Sequence, residues 1–124
     1  MPNLLLVMIG GAIGAGCRYQ VGRFALHQWG AAFPWGTLIV NLVGGLLIGA
    51  LAGVFARTGG SEQLRLLLAV GVLGGFTTFS AFSLETYNMI ARGALAAAFL
   101  YVAASVVGAL IMLFAGLWLA RAAV

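Results

Sequence analysis

From Ala94 to Ala120 the chain carries no charged residue. That run exceeds the about 20 apolar residues a helix needs to cross a ~30 Å hydrocarbon core. Comparable stretches cover 4–27, 36–56 and 66–90. The first is apolar to Cys17 and continues amphipathically past Arg18, and the third is uncharged from Leu66 to Leu84 before continuing past Glu85. Only 6% of the 124 residues are charged, against roughly a quarter in a soluble domain, so a water-facing surface could not be covered. The expected fold class is an all-α membrane protein: four transmembrane helices with short loops, forming one domain over 1–124 in the lipid bilayer.

Composition also excludes several kinds of function. The net charge of +4 comes from arginines alone. They stand singly at Arg18, Arg23, Arg57, Arg65, Arg92 and Arg121, whereas a nucleic-acid surface needs them clustered. No nucleic-acid partner is expected. Cys17 is the single cysteine, so no disulfide can form within the chain, and a small packing role is expected for it. His27, beside Trp29, reads as a span-end residue. No nucleophile, base and acid occur together within the spans, which argues against an enzyme.

The connecting segments "QWGAAFPWG" (28–36), "RTGGSEQLR" (57–65) and "ARGA" (91–94) carry tryptophan, proline, glycine and arginine, as span ends do. With four full crossings, Arg57, Arg65 and Arg121 fall on one side. Arg18, Arg23 and Arg92 are assigned to the other. Arginine bias sets orientation, and a tie leaves none. The expectation is dual topology, in which two oppositely inserted copies pair as an antiparallel homodimer.

Glycine stripes specify packing. Gly45, Gly49 and Gly53 recur along the second span, Gly10 and Gly14 along the first, and Gly71 and Gly75 along the third. Gly108 and Gly116, with Ala104, mark the fourth. Small residues at this spacing let helix backbones approach in lipid.

The stretch "GGFTTFSAFSLE" (74–85) concentrates glycine, hydroxyl and phenylalanine residues inside the third span. Two glycines weaken a helix by roughly 1 kcal/mol each, and threonines can bond back to the main chain. The third helix is therefore expected to break at mid-membrane, where freed carbonyls must be satisfied within protein and in transporters often hold Na⁺. Around this break lie Thr37, Asn41, Thr77, Thr78, Ser80, Ser83 and Ser105, with Phe79 and Phe82 on one helical face. Asn41 reads equally as an interhelical hydrogen-bonding residue and as an amide donor to a permeation path. Hydroxyls, an amide and the positive edges of aromatic rings could replace the hydration of a small anion. The middle of the path holds no acid, histidine or lysine, which argues against a proton relay.

The segments "GGAIGAGCRY" (10–19), "GTLIVNLVGGLLIG" (36–49), "GVLGGFTTFSAFSLE" (71–85) and "VVGALIM" (106–112) resemble those of the Fluc (CrcB-type) fluoride channels of bacteria. The resemblance covers nearly the whole chain. It implies an antiparallel, dual-topology dimer in the bacterial plasma (inner) membrane, exporting fluoride passively through two pores. It further implies a structural Na⁺ held by the main-chain carbonyls of Gly74 and Thr77 of both copies. By the same resemblance Phe79, Phe82 and Asn41 line the pore, with Ser80, Ser83 and Thr37 along it. Glu85 and Arg18 lie at pore ends, and Tyr101 and Ser105 are the polar residues the fourth span offers. The alternatives are a non-transporting membrane assembly subunit and a small multidrug exporter; the latter needs an acid in the first span, which is absent here.

Overall fold

The computed structural model describes residues 2–123. Among them, four helical stretches are long and apolar enough to cross a membrane: Asn3–Trp29, Trp35–Thr58, Glu62–Ala91 and Leu95–Ala123. The first, second and last are the continuous helices α1 (Asn3–Trp29), α2 (Trp35–Thr58) and α6 (Leu95–Ala123). The third stretch is composite. It comprises α3 (Glu62–Leu64), a π-helical segment (Arg65–Leu73), α4 (Gly74–Phe76) and α5 (Ser80–Ala91). Residues 77–79 are not helical, and Thr77 is extended at φ −84°, ψ 159°.

Local chemistry sets the helix ends. Gly59 closes α2 in the left-handed conformation at φ 86°, its N–H returning to the Phe55 carbonyl, a backbone that glycine adopts without a Cβ penalty. Ser61 caps α3 by accepting from the Leu64 N–H at 3.0 Å. In the same turn Glu62 pairs with Arg65 at 2.6 Å on the exposed surface.

The glycines determine which helices pair. A Cβ at Gly10 would lie 2.9 Å from Gly71 Cα, one at Gly14 would lie 2.7 Å from the Phe76 nitrogen, and one at Gly75 would meet the Gly11 carbonyl at 2.5 Å. The first stripe therefore docks α1 on the third stretch with backbones touching. Gly45 and Gly49 likewise face the carbonyls of Ala109 and Leu113, and Gly116 faces the Ala50 nitrogen, so α2 and α6 form the second close pair. Ala104 is exposed, so the α6 stripe ends at Gly108 rather than extending to it. At one end of this pair Arg57 Nη1 donates to the Arg121 carbonyl at 3.3 Å.

Arg18 and Arg23, counted with the connecting segments, lie inside α1, which runs on to Trp29 as a first span over 4–27 allows. The expectation for Cys17 changes: it is exposed, not packed between helices. The buried cluster is small, built from Leu38, Phe82, Met89, Ala98 and Tyr101. Large apolar side chains such as Phe79, Phe99 and Leu4 remain 78%, 73% and 70% exposed, which suits a chain whose outer surface meets lipid or another copy rather than water.

Candidate functional site

The non-helical residues 77–79 are held from α2. Asn41 Nδ2 donates to the Thr78 carbonyl at 3.0 Å, and the Thr78 N–H donates to Asn41 Oδ1, also at 3.0 Å. A single amide thus occupies both main-chain groups of Thr78, as a neighbouring strand would. An amide nitrogen carries two N–H groups, and this clamp uses one of them. Gly44, one turn along α2, allows the approach: a Cβ there would overlap Thr77 Cγ2.

Main-chain groups next to the interruption have distinct fates. The Leu73 carbonyl accepts both the Thr77 N–H at 3.0 Å and the Thr77 hydroxyl at 2.9 Å. Arg18 Nε donates to the Gly75 carbonyl at 3.2 Å. The N–H groups that would continue the helix onto Gly74 and Thr77 are diverted, since Thr78 N–H goes to Asn41 and Ala81 N–H goes to Thr78 Oγ1 at 3.2 Å. Among the described residues the carbonyls of Gly74 and Thr77 therefore accept no hydrogen bond.

A cavity of about 570 Å³ opens beside this point, lined by Asn41, Gly74, Thr77, Thr78, Phe79, Phe82 and Ser105 among others. The Phe79 and Phe82 rings stand 5.6 Å apart at 46°. Phe82 is buried, whereas Phe79 projects from the single chain. Ser105 is buried, and its Oγ is the buried side-chain atom without a hydrogen-bond partner among the described residues. Ser105 lines the cavity, and its buried hydroxyl has hydrogen-bonding capacity left unsatisfied there.

A smaller cavity of about 220 Å³ is lined by Thr37, Glu85, Phe33 and Pro34 with glycines of α1 and α2. Tyr101 is fully buried against the wall between the two spaces. It packs on Phe82 at 5.1 Å and donates its hydroxyl to Glu85 Oε1 at 3.1 Å.

The structure brings Asn41, Gly74, Thr77, Phe79, Phe82 and Ser105 to the larger cavity and Thr37 and Glu85 to the smaller, with Tyr101 between them. Ser80 and Ser83 line neither cavity; the Ser83 hydroxyl donates to the Phe79 carbonyl of its own turn at 2.9 Å. Arg18 sits beside the interruption, on the Gly75 carbonyl. Thr78, placed beside the break by the sequence but given no role there, contributes its main chain as the partner of Asn41, and Phe33, which sequence reasoning did not place in the site, lines the smaller cavity. The doublet of threonines was a signal for the first. Phe33 looked like membrane-interface punctuation.

A family model described as CrcB-like protein, Camphor Resistance (CrcB), matches residues 5–117. The chain is 53% identical over 121 residues to a protein of Mesorhizobium japonicum, covering 98% of each chain. It is 57% identical over 123 residues to one of Novosphingobium aromaticivorans, again covering 98% of each. It is 56% identical over 123 residues to one of Caulobacter sp. (strain K31), covering 98% of this chain and 96% of the other. Each of these relatives is named fluoride-specific ion channel FluC. With four membrane-capable helices and a family match along nearly its whole length, this multi-pass membrane protein belongs to the CrcB family.

Proposed function

We propose that the chain is a fluoride-selective channel that exports fluoride passively across the bacterial inner membrane, and not an enzyme. The observation that carries this reading is the larger cavity, where the Asn41 amide, the unpaired Ser105 hydroxyl and the Phe79–Phe82 ring pair meet. Those groups offer N–H, O–H and ring-edge donors, which suit a small hard anion that must exchange its water for protein contacts. The relatives' name supplies the identity of the anion.

The working unit is an antiparallel homodimer of dual topology, with the third stretch broken at mid-membrane. Support comes from the exposed Phe79, which an aqueous or lipid path alone would leave without its second wall. The carbonyls of Gly74 and Thr77 fit a hard cation that takes oxygen ligands, because neither accepts a hydrogen bond from the described residues. Two carbonyls from each of two copies would hold Na⁺ at the centre. The ion would supply fixed positive charge and join the copies. Thr77 and Gly74 contribute main-chain oxygen, while Arg18 keeps the Gly75 carbonyl occupied.

Fluoride would enter from the cavity, pass the phenylalanine edges and leave beside Thr37 and Glu85. Membrane potential supplies the driving force, and no proton-carrying side chain is required along the path. The second reading, an assembly subunit, draws on the engagement of Asn41 with the Thr78 main chain. Proteoliposomes loaded with fluoride and diluted into fluoride-free buffer separate the two. Rapid fluoride efflux at an ion-selective electrode, with chloride retained in matched vesicles, supports the channel. Retention of both ions by folded protein supports the subunit.

A further inference from the structure

The connector between α1 and α2 is tied down at both its outer and inner faces. Arg92, at the corner between α5 and α6, donates from Nη2 to the Ala32 carbonyl at 2.6 Å, a charge-assisted bond. The next residue, Phe33, turns inward and packs against the cluster containing Leu38, Phe82 and Tyr101. Its ring meets Tyr101 edge to face, with centroids 5.4 Å apart at 87°, and lies 4.7 Å from Trp35.

Tyr101 is therefore gripped by two rings, Phe82 at 5.1 Å and Phe33 at 5.4 Å. With no exposed surface, its orientation is set by those walls, and its hydroxyl is the side-chain partner of Glu85. Phe33 and Glu85 also line the same small cavity. A carboxylate at the mouth of an anion path obstructs it unless it is turned aside and held by a donor, since like charges repel. The phenol hydroxyl is that donor, and Phe33 fixes where the hydroxyl lies.

We propose that Phe33, clamped by the Arg92–Ala32 bond, is a positioning residue of the channel mouth that acts through Tyr101 on Glu85. The inference rests on the channel reading above. Removing the ring while keeping bulk, as in Phe33→Leu, loosens Tyr101 and frees the carboxylate to swing into the path. Removing the clamp, as in Arg92→Gln, lets the connector lift and has the same effect from outside.

The test is fluoride efflux from proteoliposomes for the wild type, Phe33→Leu, Arg92→Gln, and each variant combined with Tyr101→Phe. Loss of the Phe33–Tyr101 ring pair in Phe33→Leu, or of the charge-assisted bond to Ala32 in Arg92→Gln, corresponds to roughly a two- to tenfold drop in rate, expected at an unchanged size-exclusion profile. Once the hydroxyl is absent in Tyr101→Phe, neither change lowers efflux further, because residues acting through one group are not additive. A role limited to stability would not produce that coupling. Full efflux in Phe33→Leu, or equal fold losses with and without the Tyr101 hydroxyl, overturns the proposal and leaves the channel reading intact. Should Phe33→Leu not fold, the exposed Arg92→Gln decides alone by the same two criteria. Absence of efflux in the wild type overturns the channel reading, and this proposal with it.

Discussion

Replacing Asn41 by alanine removes the two hydrogen bonds that hold Thr78 out of helical pairing. Each such bond contributes about 1 kcal/mol net, and a main-chain group left unpaired in a buried setting costs about 1–3 kcal/mol. Two features pull the effect to the low end. Side-chain hydrogen bonds in membrane proteins average only ~0.6 kcal/mol in double-mutant cycles. The adjoining cavity of about 570 Å³ is also roomy enough for water to approach the abandoned groups. The expected destabilisation is about 1–2 kcal/mol, and fluoride efflux should fall at least about tenfold because the path loses its amide donor.

The appropriate assay measures thermal unfolding in detergent and efflux from liposomes on the same preparations. Thr78→Ser serves as the control, since Asn41 bonds only the main chain of Thr78 and a serine hydroxyl can still accept the Ala81 N–H, so the clamp should survive that change. Asn41→Asp can still accept from the Thr78 N–H, but as a carboxylate it faces the Thr78 carbonyl without a proton to donate, so its efflux should be lower still. If Asn41→Ala keeps both the wild-type midpoint and the wild-type efflux, the clamp has no structural or conducting role and the reasoning fails.

Other expectations distinguish residues that the sequence alone treats alike. Ser105→Ala should reduce efflux several-fold, whereas Ser83→Ala should stay within about twofold, because the Ser83 hydroxyl already bonds its own helix. Equal effects of the two in the efflux assay would mean the unpaired hydroxyl is unimportant. Thr77→Val should leave any Na⁺ dependence of dimer stability unchanged, because the hydroxyl bonds the Leu73 carbonyl while the main-chain oxygen is the one offered to a cation. Loss of that dependence in Thr77→Val, read by dimer dissociation with and without Na⁺, would move the cation elsewhere. Gly49→Leu should separate α2 from α6, since even a Cβ there overlaps the Leu113 carbonyl; a normal yield of folded protein would contradict the assigned helix pairing.

The spans were legible because apolar length is a direct physical requirement of the bilayer. The glycine stripes were legible as contact surfaces, but not which stripe meets which: Gly45 and Gly116 show the same spacing logic whether their helices pair or not. The continuation of the first span past Arg18 was legible, but not its partner: the guanidinium finds an acceptor in the Gly75 carbonyl, and α1 continues. The π-helical segment had no signal in "RLLLAVGVL", whose residues suit an ordinary helix. Asn41 could be singled out as a polar residue in a span. Its partner depends on where the third stretch opens: the glycines and threonines signalled an interruption, but not that it falls at 77–79 with Thr77 extended. Phe33 was hidden by its neighbours, because tryptophan and proline beside it fit a membrane interface equally well.

The central claim is a fluoride-conducting path, and the most direct measurement is the reversal potential of protein-dependent current across a planar bilayer. With a tenfold fluoride gradient and symmetrical chloride, a channel selective for fluoride should reverse near about 59 mV, the tenfold potential for a single charge. A reversal at zero, an absence of current from folded protein, or a potential that follows chloride when its gradient is imposed would contradict it.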